Sequence, residues 1–332
     1  MIRFLHTSDW QLGMTRHFLG RDAQARFTDD RLATVRECLK LAERERCAFV
    51  VVCGDVFETN QVDRGPVVRT LDALGATEMH VYLLPGNHDP LDAGSVFWSR
   101  TFVDRKPDNV AVLDSSAPIE VAPGVEIVGA PWRSKRPLSD LVADACSRLA
   151  PKSGMTRLLV GHGSVDVINP NRDDPAAISL AAAEQALAEG RVHYVALGAR
   201  HSVTSVGKSG RIWYAGAPEA TDYDEDAPGH ALVVEMDAAH CDVTQHKVGR
   251  WRFVRMEFEL RSDDDVALVE GRLEEIPRDE KERTIIKLTL RGVEHTDFPA
   301  LARRLSEAVG IEIAAVGRHT HGILTFAAER EA

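Results

Sequence analysis

The sequence lacks features that would mark a membrane or secreted protein. It has no apolar run near the roughly 20 residues that a transmembrane helix needs. Its N-terminus lacks the charged, apolar and cleavage regions of a signal peptide. Its five cysteines form no close CxxC pair, which is typical of reduced thiols in the cytoplasm. These absences predict a cytoplasmic protein without a membrane partner.

The chain also lacks an excess of positive charge. It has 40 Lys and Arg residues against 51 Asp and Glu residues, and its formal net charge is −11. This balance argues against a globally basic nucleic-acid binder. Any DNA binding would therefore depend on local patches and on metal ions.

The first part of the chain alternates short apolar runs with helical patterns. Runs such as "IRFLHTSD", "CAFVVVCGD" and "TRLLVGHG" are bounded by Gly, Pro or Asp, as buried strands are. Between the early runs, Phe27, Val35 and Leu39 are spaced to line one helix face. Later runs are separated only by turns, so part of the sheet should be antiparallel. The pattern predicts an α/β domain with mixed sheets over residues 1–248.

A second, smaller pattern begins near Gly249. It reads as two strand–helix units followed by a hairpin, and the helix of the second unit is predicted over "DFPALARRLSEAV". This order predicts a small α+β domain over residues 249–332.

Polar residues follow five of the predicted strands at their carboxyl ends. The segments are Asp9 to Gln11, Gly54-Asp55, Gly86-Asn87-His88-Asp89, Gly161-His162 and Gly198 to His201. Ligand sites of α/β sheets form where strand carboxyl ends converge, and Asp, Asn and His together suit Mn, Fe or Zn. Each short segment is also compatible with an ordinary turn. Five in succession, with "GNHD" among them, favour a metal site.

The ordered segments "HTSDWQLG", "CGDVFETN", "PGNHD", "GHGSVD", "YVALGARH" and "WYAGAPE" resemble the motifs of calcineurin-like metallophosphoesterases and, more narrowly, of SbcD-like nucleases. The resemblance implies two mixed β-sheets in a sandwich flanked by helices, with residues 249–332 as a DNA-capping domain. It implies a metal-dependent exonuclease and endonuclease that hydrolyses phosphodiester bonds in double-strand-break repair. The implied partners are DNA, an SbcC-type SMC-like ATPase and a second copy of the chain in a homodimer.

The resemblance also assigns roles to individual residues. The implied ligands of two divalent ions, Mn²⁺ with Mg²⁺ as the alternative, are Asp9, Gln11, Asp55, Asn87, His162 and His201. Asp55 would bridge both ions. His88 corresponds to the general acid of the family, and Asp89 is placed to orient it.

Two positions depart from the family pattern. Gln11 stands where the family has a histidine on the first metal, and its amide oxygen binds Mn or Zn more weakly than imidazole does. Ala199 stands where a histidine would bind the second metal, and it cannot coordinate at all. The departures leave open a non-catalytic DNA-end-binding subunit with a degenerate metal site. A small-molecule phosphodiesterase is the other alternative, although a cap-like second domain favours a polymeric substrate.

Three further segments carry weaker signals. His319 and His321 in "HTHG" are expected to be exposed strand residues rather than metal ligands. The segment "RSKR" at 133–136 is either a solvated loop or a phosphate contact. The acidic segment "DYDED" at 222–226 would repel DNA, so it is expected to lie away from the substrate path.

Overall fold

The computed structural model describes residues 1–169, 171, 173–260, 263–291, 313–316 and 322–327. The helix predicted over "DFPALARRLSEAV" and the pair His319 and His321 lie outside these described residues. The chain packs into two compact units. The first holds residues 1–14, 31–219 and 225–249, and the second holds residues 15–30, 220–224 and 250–332. The domain boundary after residue 248 stays a prediction.

The first sheet of the first unit has six strands in the order β12-β11-β1-β2-β3-β4. These strands are β1 (Ile2–Thr7), β2 (Phe49–Cys53), β3 (His80–Leu84), β4 (Val110–Val112), β11 (His230–Met236) and β12 (Cys241–Lys247). Strands β1 to β4 pair in parallel, whereas β11 and β12 pair antiparallel. Every residue of β2 is buried, as expected for a β-branched central strand covered on both faces.

The second sheet also has six strands, in the order β5-β6-β7-β8-β10-β9. They are β5 (Ile119–Ala122), β6 (Val125–Gly129), β7 (Thr156–His162), β8 (Tyr194–Gly198), β9 (Thr204–Val206) and β10 (Ile212–Tyr214). Strands β6, β7, β8 and β10 pair in parallel, and the two edge strands pair antiparallel. Both sheets are therefore mixed, as predicted.

Helices cover the outer faces of the two sheets. They are α1 (Arg21–Arg44), α2 (Arg64–Gly75), α3 (Arg100–Arg105), α4 (Leu141–Ser147) and α5 (Leu180–Ala188), with a short 3₁₀ helix at Val96–Trp98. Across the part of the chain that the structure describes, no helix combines the length and the apolar character needed to cross a membrane.

Three apolar layers hold the first unit together. Between the sheets, the ring of Phe4 stacks on Phe49 at a centroid distance of 5.2 Å and meets the edge of Tyr194 at 5.7 Å. Outside the first sheet, Val35 and Leu39 of α1 are buried against the strands, as their spacing predicts. A third layer lies between the second sheet and the helices α4 and α5. The predicted fold class, a sandwich of two mixed sheets flanked by helices, is confirmed.

The sequence did not predict three of the strands, namely β5, β9 and β12. All three lie at sheet edges, and most of their residues are exposed or half-buried. A strand that buries few residues carries no apolar run, so its sequence resembles that of a loop.

The second unit contains a four-stranded sheet in the order β13-β14-β16-β15. Its elements are β13 (Arg252–Glu259), α6 (Asp263–Glu274), α7 (Arg278–Lys281), β14 (Thr284–Arg291), β15 (Ile313–Val316) and β16 (Gly322–Ala327). The start of α1 belongs to this unit, because Trp251 packs edge-on against Phe27 at 5.1 Å and its Nε1 donates to Asp30 at 3.1 Å.

A buried histidine joins the two sheets of the first unit. His6 in β1 lies 3.2 Å from the hydroxyl of Tyr194 through Nδ1 and 3.2 Å from the carbonyl of Leu197 through Nε2. The carbonyl can only accept, so Nε2 donates and Nδ1 accepts, and the neutral ring satisfies both bonds. Burial lowers the pKa of His6 to about 3.

We expect the His6→Gln variant to be less sensitive to acid than the native protein. At pH values between the folded pKa and the ordinary histidine pKa of about 6.5, His6 is protonated in the unfolded chain but stays neutral in the folded chain. The free energy of unfolding therefore decreases as the pH falls. From pH 7 to pH 5 this ring alone should cost about 2 kcal/mol. The measurement is the free energy of unfolding of both proteins at the two pH values. Equal losses would show that His6 does not control the acid response.

Candidate metal centre

Strands β1 and β2 continue to pair beyond their ends, and this pairing brings two carboxylates together. The N–H of Asp9 donates to the carbonyl of Gly54 at 3.1 Å, and the N–H of Gln11 donates to the carbonyl of Asp55 at 2.8 Å. The two turns after the strands therefore lie side by side at the carboxyl edge of the sheet. Asp9 and Asp55 are both almost fully buried there.

Four candidate site positions have a left-handed backbone. The φ angles are 53° at Asp9, 44° at Gln11, 53° at Asp55 and 87° at Ala199. Residues other than glycine rarely adopt this conformation, and residues that do so cluster at functional sites. The strain therefore points to the same turns that the motifs indicate.

Two glycines allow side chains of the site to approach the backbone closely. A Cβ on Gly54 would lie 2.1 Å from Nδ1 of His162, and a Cβ on Gly86 would lie 2.1 Å from Oδ1 of Asp55. Neither position has room for any side chain. We call these two positions the glycine floor of the site.

Three buried side chains place metal-binding atoms next to one another. Donor atoms of Asp9, Asp55 and His162 all lie within 4.8 Å of one another. The Nδ1 of His162 hydrogen-bonds to the carbonyl of Cys53 at 2.8 Å, which directs Nε2 into the group. That Nε2 lies 3.3 Å from Asp55 Oδ2 and 2.8 Å from the side-chain oxygen of Asn87. Four of the six predicted ligands are thus assembled in one cluster.

The side chain of Gln11 supports the assignment of this cluster to a cation. Gln11 is 3% exposed, and its Oε1 has no hydrogen-bond partner among the described residues. Leaving a buried acceptor unsatisfied costs about 1–3 kcal/mol, so such an atom calls for an explanation. A hard cation held by carboxylate, amide and imidazole groups would satisfy it. The residues present therefore fit a divalent metal.

His201, which follows β8, lies next to Asp9 of this cluster, and it has a partner that the sequence did not predict. Its Nε2 lies 3.8 Å from Asp9 Oδ1, and its Nδ1 lies 2.9 Å from Oε1 of Glu225. A carboxylate on the outer nitrogen fixes the ring and raises its basicity as a ligand. Glu225 belongs to "DYDED", the segment expected to lie away from the substrate path, and this residue of the segment contacts a candidate site histidine. No spacing or motif in the sequence marks Glu225.

The charges of the site favour a cation at its centre. Burial would lower the pKa of His162, but the carboxylate of Asp55 outweighs burial and raises it to about 9. Burial likewise opposes the charged form of His201, yet hydrogen bonding to Glu225 and the charge of Asp9 raise its pKa. Burial alone would raise the pKa of Asp55, whereas His162 and His88 hold it below its ordinary value. Positive charge is therefore stabilised at this point.

His88 faces the metal-binding cluster from the loop after β3. Its backbone N–H donates to Asp55 Oδ1 at 2.9 Å, and its Nδ1 hydrogen-bonds to the carbonyl of Glu58 at 2.9 Å. The other ring nitrogen, Nε2, lies 3.9 Å from Asp55 Oδ2. The ring is thus oriented by Glu58, with about a third of its side chain open to solvent.

Asp89 orients the loop rather than the His88 ring. Its two carboxylate oxygens accept the backbone N–H groups of Gly86 at 2.8 Å and of Phe57 at 3.0 Å. Burial raises the pKa of Asp89 to about 7, and the charge of Asp55 adds to this shift. The expectation that Asp89 orients His88 is replaced by an indirect role, because Asp89 fixes the backbone on which His88 stands.

Ala199 lies beside the cluster but offers it no side-chain ligand. Its N–H donates to both oxygens of Asp9, at 3.2 and 3.1 Å. It therefore holds the carboxylate of Asp9 through the backbone, and its methyl group offers no ligand atom.

We expect the double variant Gln11→His, Ala199→His to bind metal more tightly than the native protein. Each new imidazole adds a nitrogen donor, and histidine is among the residues that tolerate a left-handed backbone. Nitrogen donors should favour Zn²⁺ and Mn²⁺ over Mg²⁺. Each is expected to give about a tenfold gain in affinity, which corresponds to about 1.4 kcal/mol.

Metal titrations of the native protein, both single variants and the double variant test this expectation. Gln61→His is the matched control, because Gln61 is exposed and lies outside the cluster. If the control gains as much as Gln11→His, or the double variant gains nothing, these positions do not face the metals.

Comparisons with known proteins agree with this geometry. The family profile described as calcineurin-like phosphoesterase matches residues 2–234. The SbcD component of the nuclease SbcCD of Escherichia coli, in strains K12 and O157:H7, is 34% identical over 91 residues, or 26% of this chain. The chain spans 21% of the length of these curated relatives.

Two solved structures also match most of the chain. A protein from Thermus thermophilus is 9% identical with a TM-score of 0.45, and the match covers 73% of this chain and 98% of that one. A dimetal phosphatase from Danio rerio is 13% identical with a TM-score of 0.42, and the match covers 74% and 99%.

Proposed function

Because the chain belongs to the calcineurin-like phosphoesterase family, we propose that it is a metal-dependent nuclease that hydrolyses the phosphodiester bonds of DNA. The observation that carries this proposal is the buried cluster of Asp9, Asp55 and His162 beside the partly exposed ring of His88. Phosphodiester hydrolysis is catalysed by metal ions that stabilise charge on the phosphate and by an acid that protonates the leaving group.

We assign two metal positions to the cluster. Asp9, Gln11 and His201 would hold the first ion, Asn87 and His162 would hold the second, and Asp55 would bridge them. When bound, two divalent ions stabilise negative charge on phosphoryl oxygens and activate water for in-line attack. The weak donor Gln11 and the absent donor at position 199 favour Mn²⁺, with Mg²⁺ as the alternative.

His88 is the proposed general acid. The carbonyl of Glu58 can only accept, so Nδ1 keeps its proton in this contact. In the imidazolium form Nε2 carries the second proton, which is the one that can be transferred. That nitrogen faces the Asp55 side of the site, where the leaving sugar oxygen would depart. Proton transfer from a positioned imidazole contributes about 10²–10⁴-fold to such reactions.

The substrate and partners are proposed from the relatives. The partial similarity to the SbcD component of nuclease SbcCD supports a role as the nuclease component of an SbcCD-like complex in double-strand-break repair. By the same reasoning, residues 249–332 would cap DNA, the chain would form a homodimer, and an SbcC-type ATPase would be its partner. With DNA as its substrate, the protein is expected to act in the cytoplasm.

The deciding experiment compares DNA with a small ester. Purified protein with Mn²⁺ should cut linear duplex DNA as well as bis-p-nitrophenyl phosphate, and both activities should disappear with a chelator or in an Asp9→Asn variant. Turnover of the small ester alone would favour a small-molecule phosphodiesterase. DNA binding without Mn²⁺-dependent turnover of either substrate would favour a non-catalytic end-binding protein, which the substitutions at Gln11 and Ala199 keep open.

A further inference from the structure

A pocket lies in the first unit, between the loop after β6 and the helix α4. Its cavity volume is about 330 Å³, within the range of small-molecule sites. We call it the arginine–proline pocket. The residues that define its chemistry are Arg133 and Arg148, with Ser115, Pro131, Pro137 and Leu138.

Trp132 connects the loop that lines the pocket with His162 of the cluster. This residue stands between Pro131 and Arg133, and its indole Nε1 donates to the carbonyl of His162 at 2.7 Å. Its ring lies edge-on to the imidazole of His162 at a centroid distance of 6.1 Å. Its backbone N–H donates to the carbonyl of Pro85, which leads into the His88 loop. The wall of the pocket and the metal ligand are therefore fixed to one another.

Two arginines are among the residues that line the pocket. Arg133 is held at the rim by a hydrogen bond from Nη2 to the carbonyl of Asp114 at 2.6 Å, and Arg148 lines the same cavity. Residues 133–136 contain three basic residues and no acidic one, in a chain of net charge −11. The acidic lining residue, Asp144, accepts a hydrogen bond from Ser139 at 2.6 Å. Arginines with nearby serine hydroxyls are typical phosphate-binding groups.

Apolar side chains also line the pocket, namely those of Pro131, Pro137 and Leu141. Together with Leu138 they form its apolar wall. Leu138 is 89% exposed, so its side chain is available to a ligand. A flat ring can stack on such a surface, as unpaired bases stack on protein side chains.

We propose that the arginine–proline pocket binds one deoxynucleotide unit of an unpaired DNA strand, with its phosphate at the arginines and its base against the proline and leucine wall. The proposal deepens the proposed function, on which it rests for the identity of the substrate. It assigns "RSKR" a phosphate contact, the alternative to a solvated loop. A strand end seated here would be held by the loop that contacts His162 through Trp132.

The test is calorimetric binding of 2′-deoxyadenosine 5′-monophosphate to the metal-loaded protein, with deoxyadenosine and inorganic phosphate as separate probes. Arg148→Gln and Arg133→Gln should each weaken nucleotide binding about tenfold, because each removes a charge-assisted hydrogen bond. Leu138→Ser should weaken nucleotide binding but leave phosphate binding unchanged. Arg100→Gln is the matched control, since Arg100 is 94% exposed and pairs with Asp104.

The outcomes separate this inference from the proposed function. If nucleotide binding falls in the arginine variants while turnover of bis-p-nitrophenyl phosphate is unchanged, the pocket is a nucleotide site whether or not the protein cuts DNA. If DNA is cut but the arginine variants bind the nucleotide as the native protein does, the inference is overturned. Phosphate binding as tight as nucleotide binding would also overturn it, because the apolar wall would then contribute nothing.

Discussion

Asp55→Ala should lose both metal ions and all detectable hydrolysis. Asp55 is the residue on which the site converges, because its carboxylate lies 3.3 Å from Nε2 of His162 and accepts the backbone N–H of His88 at 2.9 Å. A bridging carboxylate offsets the mutual repulsion of two cations, so neither site survives without it. Titration calorimetry with Mn²⁺ measures the binding, and bis-p-nitrophenyl phosphate reports the activity.

Thermal unfolding separates loss of metal from loss of the fold. Burial raises the pKa of Asp9 and the charge of Asp55 adds to this shift, so the variant loses one repulsion, but it also loses the carboxylate that pairs with His162. Metal-free Asp55→Ala should therefore still unfold cooperatively, at a lower temperature than the native protein, and Mn²⁺ should no longer raise that temperature. Asp63→Ala is the matched control, because Asp63 is exposed and its side chain caps no helix N–H group. Two tightly bound ions in Asp55→Ala would refute the bridging assignment.

The second large effect on turnover is expected at His88, where activity should fall while metal binding is kept. His88→Asn should lower turnover by about 10²–10⁴-fold, the usual contribution of a general acid, and should leave Mn²⁺ affinity nearly unchanged. The reason is geometric, since Nδ1 is engaged by the carbonyl of Glu58 and only the backbone of His88 contacts Asp55 within hydrogen-bonding distance.

The measurements for His88 are metal titration and rates on esters with different leaving groups. A variant without the general acid should show the smallest loss of rate on the ester whose leaving group departs without being protonated. His80→Asn is the control, because His80 is exposed at the start of β3. If His88→Asn loses metal together with activity, His88 is a ligand and not the proton donor.

The sequence predicted the parts of the fold that bury apolar runs. Central strands such as β2 are covered on both faces, so their composition differs sharply from that of turns. The ends of those strands predicted the candidate site, because parallel pairing carries Asp9 and Asp55 to the same edge. Edge strands such as β12 bury few residues, and their pattern gave no signal.

What the sequence could not predict depends on contacts between distant segments. Glu225 is an ordinary acidic residue in an acidic run, and only the folded chain brings it to within 2.9 Å of His201. The family resemblance placed Asp89 to orient His88, yet its oxygens accept the backbone N–H groups of Gly86 and Phe57. Neighbouring positions in a loop point in different directions, and spacing alone does not fix those directions.

The glycine floor sets limits on how this protein can vary. At Gly54 and Gly86 even a methyl group would collide with His162 or Asp55, at 2.1 Å in each case. In a library of random variants, these two positions should tolerate no replacement. Diversity in metal preference or substrate should instead arise at positions such as Gln11, Ala199 and Leu138, which already carry a side chain. Changes in the metal preference or substrate of this protein are thus confined to positions around the glycine floor.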